Sequence, residues 1–157
     1  MGFIDDYNYL FAIDEGCMEQ SNEIDATRFC DEFIRFYKQV LSRWGYVEYV
    51  FCDSASNTLI NTLRSACERE GLDGSVINPV VKNEVAERPR TVDRLLTTGR
   101  LRIGNNCKGL IKAMCSLVWD EKQLDRPKDE NVDNINDIWD SFCYTFITHT
   151  DYIELER

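Results

Sequence analysis

The chain moves between two hydrophobic rhythms, and each change marks an element. In "YNYLFAID" (7–14) aromatic and aliphatic residues run together, which reads as a strand that Gly16 ends or bends. The spacing then changes. Phe29, Phe33, Phe36, Tyr37, Val40, Leu41 and Trp44 recur at the helical period, predicting a long helix that Gly45 stops. β-Branched and aromatic residues return at 47–52, in "YVEYVFCDSAS", as a second strand. A helix follows with Leu59, Ile60, Leu63, Ala66 and Cys67 on one face. Gly71 and Gly74 bracket a turn before "SVINPVV", a short strand interrupted by Pro79.

Pro89 suits the first turn of a short helix whose Val92, Leu95 and Leu96 face inward. "GRLRI" (99–103) alternates as a brief edge strand does. Cys107, Leu110, Ile111, Met114, Leu117 and Val118 define another amphipathic helix. The stretch 120–134 is charged and nearly free of apolar residues, which predicts a loop. A last helix is expected from about 134 to 147, burying Ile135, Ile138, Trp139, Phe142 and Phe146. Strands alternating with helices predict an α/β fold with at least one parallel strand pair.

The length of 157 residues predicts one domain over 1–157, with 1–6 and 149–157 as tails. Apolar content of 43% beside 29% charged residues is that of a globular protein. No apolar run is long enough to span a bilayer, and "MGFIDDYNYL" lacks the layout of a signal peptide, so no membrane partner is expected. The seven cysteines form no CxxC pair and lie in apolar runs, which predicts buried thiols in a reducing cytoplasm. His149 is the sole histidine, so zinc or histidine-based catalysis has little to draw on. Neither GxxxxGK[ST] nor GxGxxG is present.

Any chemistry is therefore expected from carboxylates. Asp53 falls at the tip of a strand, where open α/β sheets place ligands, although an Asp there also serves as a helix cap. Asp133, Asp137 and Asp140 recur at i, i+4 and i+7 and line one face of the last helix. That stripe is either solvated or, since stacked like charges repel, a place for a cation. Oxygen donors without histidine or cysteine suit Mg²⁺ or Mn²⁺, and a pair of such ions can activate water and steady a leaving oxygen. The net charge of −10 argues against a general nucleic-acid surface, but Arg88, Arg90 and Arg94 form a local basic spot.

The order of these pieces resembles a known family. "VEYVFCDSASNTLINTLR", "NPVVKNEVAERPRTVDRLLTTGRLRI" and "CKGLIKAMCSLVWDEKQLDRPKDENVDNINDIWDSFCYTF" resemble the C-terminal nuclease domain of phage terminase large subunits, over roughly 7–148. The resemblance implies a ribonuclease H-like mixed sheet flanked by helices. It also implies Mg²⁺- or Mn²⁺-dependent cleavage of double-stranded DNA during genome packaging, in the bacterial host cytoplasm. Asp53 matches the family's strand-end metal ligand, and Asp140 its late-helix acid. Asp137 takes the place of an accessory polar ligand, and Lys82 matches a loop lysine. With the arginines at 88, 90 and 94, Lys82 would then contact DNA. A small terminase subunit and a portal are the implied protein partners.

One part of the pattern is missing. The family's first acid sits on an opening strand that would lie before Met1, while Asp14 and Glu15 match an Asp-Glu pair on the strand after it. The chain is thus expected to lack the first catalytic strand, either as a fragment of a larger protein or as a remnant. Two alternatives stay open: a non-catalytic module of the same fold, and a receiver-like signalling domain. The latter also places an Asp at a strand tip, and it would use Asp14 and Glu15 as its acidic pair.

Overall fold

The computed structural model describes residues 2–5, 8–18, 25–55, 57–81, 87–116 and 135–153. In chain order its elements are β1 (Gly2–Asp5), β2 (Tyr9–Ala12), α1 (Ala26–Trp44), β3 (Val50–Cys52), α2 (Asn57–Arg69) and β4 (Ile77–Pro79). They continue with α3 (Glu87–Thr97), β5 (Leu101–Ile103), α4 (Lys108–Ser116), α5 (Ile135–Tyr144), a 3₁₀ turn (Ile147–His149) and α6 (Thr150–Ile153). The chain divides into two compact units, Met18–Val80 and Met1–Cys17 with Val81–Arg157.

The Met18–Val80 unit packs two helices on a parallel strand pair. Asp25 caps α1, its carboxylate accepting from the Arg28 N–H at 2.7 Å. Gly45 ends the helix with φ +87°, and its N–H donates to the Leu41 carbonyl. A residue with a Cβ is strained there, so the stop read from sequence has a backbone cause. Cys30, Ile34 and Tyr37 of α1 meet Ile60, Leu63, Ala66 and Cys67 of α2, with Ile77 of β4. β3 and β4 run parallel with Val50 opposite Ile77. Arg64 donates twice to the Ile77 carbonyl, at 3.0 and 2.6 Å, and Pro79 has no N–H to offer, which blunts this strand as a pairing edge.

The other unit holds a three-stranded sheet ordered β1-β2-β5. β1 is antiparallel to β2, with Gly2 opposite Ala12, and β2 is parallel to β5, with Leu10 opposite Leu101. The expected α/β architecture with parallel pairing is observed, and among the described residues the strands form two small sheets. Leu10, Ala12 and Leu101 from the sheet, Val92 and Leu95 from α3, and Leu110 and Ala113 from α4 are buried. So are Trp139, Phe142, Cys143 and Tyr144 of α5, Phe146 after it, and Ile153 of α6.

Several expectations are corrected. On α3, Leu96 faces solvent, while Arg88 and Thr91 take the inward positions beside Val92 and Leu95. Ile111 of α4 is exposed, Ala113 having the inner place. The last helix stops at Tyr144, and the stretch expected as the start of a tail forms α6, which buries Ile153. Leu117, Val118 and the 120–134 stretch lie outside the described residues.

All seven cysteines lie among the described residues and none is in a disulfide, but Cys17 and Cys115 are exposed rather than buried. Burial pushes the thiols of Cys30, Cys67, Cys107 and Cys143 up, because an apolar surrounding disfavours the thiolate. Alkylation near neutral pH is therefore expected to modify Cys17 and Cys115 first. The four buried thiols should react only after denaturant is added, as peptide mass spectrometry would show. Early labelling of Cys67 or Cys143 would contradict this packing.

Candidate acidic site

Asp53 stands one residue beyond β3, at the carboxyl end of the parallel pair. The pairing continues as far as the Cys52 carbonyl, which accepts from the Val80 N–H at 2.8 Å. The chain then turns, and the Asp53 carboxylate accepts from the Ala55 N–H at 2.9 Å. This closes an Asx turn that delivers the backbone to α2. Asp53 thus shapes the turn ahead of α2, and it is an exposed carboxylate at a strand's carboxyl end.

Asp140 has a different setting. It lies in the second half of α5, and its Oδ1 accepts from Arg88 Nη1 at 2.7 Å. The Arg88 side chain is only 4% exposed and that of Asp140 is 46% exposed, so the pair joins an interior cation to a surface carboxylate. The guanidinium also lies over the Tyr144 ring, 5.5 Å from its centre. Burial of Cys143 keeps that thiol neutral beside the pair; Arg88 pulls against this and Asp140 adds to it.

This overturns the expectation that Arg88 is part of a DNA-facing surface. Its place on the α3 face occupied by Thr91, Val92 and Leu95 turns it inward, and α5 supplies the counter-charge. Arg90 is exposed and Arg94 half-buried, so Arg90 keeps the surface position expected of it. Asp137 is exposed in the first turn of α5, where a carboxylate interacts favourably with the helix dipole. The acidic stripe is therefore not uniform, since Asp137 faces water and Asp140 serves a buried cation. Asp133 and Lys82 lie outside the described residues.

Asp14 and Glu15, which entered above as a family match and as the acidic pair of a receiver-like domain, prove to be strongly engaged. Asp14, just past β2, is buried, and its Oδ1 accepts from the Glu15 N–H at 3.1 Å and from Asn106 Nδ2 at 3.2 Å. Glu15 accepts from the Gly109 N–H at 2.7 Å and the Leu110 N–H at 3.0 Å, and so caps α4 from 94 residues away in sequence. A Cβ at position 109 would sit 3.3 Å from both Glu15 oxygens and 3.2 Å from Ile138 Cδ1. These distances are tighter than an ordinary Cβ contact, so a side chain at 109 would press on the Glu15 carboxylate and Ile138. The pairing of an Asp-Glu strand end with "GNNCKG" carried the only sequence hint, through the glycine and asparagines before a helix.

Asp53 belongs to the Met18–Val80 unit; Arg88, Asp137 and Asp140 belong to the other. Among the described residues, no three histidines, cysteines or acids gather into a set that would hold a metal ion. Asp53, Asp137 and Asp140 each offer carboxylate oxygen only, the donor type that hard divalent ions accept. No helix among the described residues is long and apolar enough to cross a membrane. Compared with family models, curated proteins and solved structures, the chain matches none.

Proposed function

We propose that this chain is the nuclease domain of a phage terminase large subunit, with a ribonuclease H-like fold, cutting double-stranded DNA during genome packaging. The observation that carries the proposal is the setting of Asp53: an exposed carboxylate immediately beyond a parallel strand and ahead of a helix. That is where the terminase pattern "FCDSASNTLINTLR" puts a metal ligand. On this reading Asp53 is a ligand of Mg²⁺ or Mn²⁺ in its unit, and Asp140, with Asp137 as an accessory group, is a candidate ligand on α5 of the other. The bound ion supplies an activated water and charge stabilisation at the leaving oxygen. Arg90 and Arg94 of α3, the first exposed and the second half-buried, would meet the phosphate backbone together with Lys82. On this reading the protein partners are a small terminase subunit and a portal, and the setting is the host cytoplasm.

A second reading, a non-catalytic module of the same fold, draws on Asp140. One oxygen of this carboxylate is already engaged by a buried guanidinium, and Asp14 and Glu15 are committed to structure. One assay separates the two. Supercoiled plasmid incubated with the protein and Mn²⁺ is expected to be nicked and linearised, while Asp53→Ala leaves it intact. Plasmid that stays supercoiled with both proteins would support the non-catalytic module. Equal cutting by both would point to a contaminant and remove Asp53 from the chemistry.

A further inference from the structure

We propose that the outer face of the β2–β5 strand pair binds single-stranded nucleic acid, with bases stacking on Tyr9 and Phe11 and a phosphate meeting Arg102. The inference goes beyond the nuclease reading and needs no metal ion. It also stays within the one unit that holds both strands.

Three observations carry it. First, the two faces of the strand pair differ. Leu10, Ala12 and Leu101 are buried on the inner face, so by strand alternation Tyr9, Phe11 and Arg102 stand on the other. Parallel strands are ordinarily covered on both faces, yet Tyr9 is 42% exposed, Phe11 is half-buried and Arg102 is exposed. Second, the two aromatics are neighbours, with ring centres 6.1 Å apart and planes tilted by 45°, so successive bases of one strand can each meet a ring. Third, Arg102 lies opposite Phe11 in register on β5, the last strand of this sheet among the described residues. That sets a guanidinium one strand spacing, about 4.8 Å, from the aromatic row.

Charge decides the occupant and its orientation. Arg100, one position before β5, spends its Nε on the Asn8 carbonyl at 2.7 Å, so the phosphate contact is assigned to Arg102. Asp5 stands opposite Tyr9 in register on β1, which turns an anionic backbone toward β5 and its bases toward β2. Aromatic rings beside a guanidinium suit a ligand made of flat bases on a regular anionic chain, and every base has a π-face to stack. A duplex fits less well. Its bases are already stacked on one another, and a protein of net charge −10 has too little positive surface to hold it by its phosphates. The single strand offers its bases directly.

The test is fluorescence anisotropy of a short labelled DNA single strand of mixed sequence, titrated with the full chain at low salt in EDTA so that nothing is cut. An abasic strand and a duplex of equal length are titrated beside it. Wild type is expected to bind the single strand about tenfold or more tighter than either. Tyr9→Leu and Phe11→Leu, checked for wild-type circular dichroism, should each weaken binding by about 5- to 150-fold, the scale of one lost stacked base. Arg102→Gln should reduce the slope of log affinity against log salt by about 0.7. If the half-buried Phe11→Leu does not fold, the exposed positions Tyr9 and Arg102 carry the test. No binding by wild type, equal binding of the abasic strand or the duplex, or wild-type affinity in Tyr9→Leu would overturn the proposal. So would Tyr9-dependent self-association in sedimentation without binding of the strand, which would assign the face to a second copy of the chain. Plasmid cutting with Mn²⁺ is measured separately, so failure here leaves the nuclease reading standing, and failure there leaves this one.

Discussion

Asp140→Ala is expected to lower the unfolding free energy by about 2–3 kcal/mol, below the roughly 3–5 kcal/mol of a fully buried pair. The estimate is reduced because the Asp140 side chain is 46% exposed, so water can partly replace it. What the substitution leaves behind is the larger cost: Arg88 stays inside the protein with Tyr144 beneath it and its observed carboxylate partner gone. Asp137→Ala is the proper comparison, since it lies on the same helix and faces solvent. It should cost about 0.3–1 kcal/mol, the scale of an exposed carboxylate near a helix N-terminus. Asp140→Asn, which keeps an acceptor oxygen for Arg88, should fall between them. Urea unfolding followed by circular dichroism measures all three. Equal losses from Asp137→Ala and Asp140→Ala would show that Arg88 does not depend on Asp140. The functional consequence is practical: an inactive Asp140→Ala protein would confuse a lost ligand with a loosened helix. Asparagine is the substitution that separates them.

How much of this was legible in the sequence depends on whether a residue's role is local. The boundaries of α1 are set by Asp25 and Gly45, which act on backbone groups within a turn of themselves; the Gly45 stop was read from the string, while the Asp25 cap emerged from the structure. The buried face of α2 was equally readable, because Ile60, Leu63 and Cys67 repeat at the helical period. Arg88 was misread for a physical reason. Residue type argues for the surface, whereas position, at the same period as Thr91, Val92 and Leu95, argues for the interior. When type and position disagree in this way, a partner on another element decides, and Asp140 lies 52 residues away. Glu15 illustrates the same limit: nothing near it in sequence says that its oxygens cap a helix starting at Lys108. Asp53 was legible as a strand-end carboxylate, and the turn it closes is local as well.

Phe146→Ala should be among the most damaging single substitutions in the protein, costing about 3–5 kcal/mol through lost transfer energy and the cavity left behind. Periodicity placed Phe146 on the buried side of the last helix; the helix ends at Tyr144, yet the ring is fully buried. Tighter backbone bonds make this possible. The Thr145 and Phe146 N–H groups donate to the carbonyls three residues earlier, and the His149 N–H donates to the Phe146 carbonyl. The chain thus leaves α5 in a 3₁₀-like turn that drives the ring inward. There it meets Phe142 edge-on, ring centres 5.3 Å apart at 63°, and Phe142 in turn packs on Trp139 at 6.2 Å. Edge-to-face pairs add a contribution beyond area burial. Phe146→Leu, which keeps most of the volume but loses the aromatic edge, should cost about 1–1.5 kcal/mol. The ratio of the two losses is diagnostic. If the leucine variant were as unstable as the alanine variant, ring geometry rather than filled volume would hold this end of α5. If neither lost more than a surface substitution does, Phe146 could not be the anchor of the helix that carries Asp137 and Asp140.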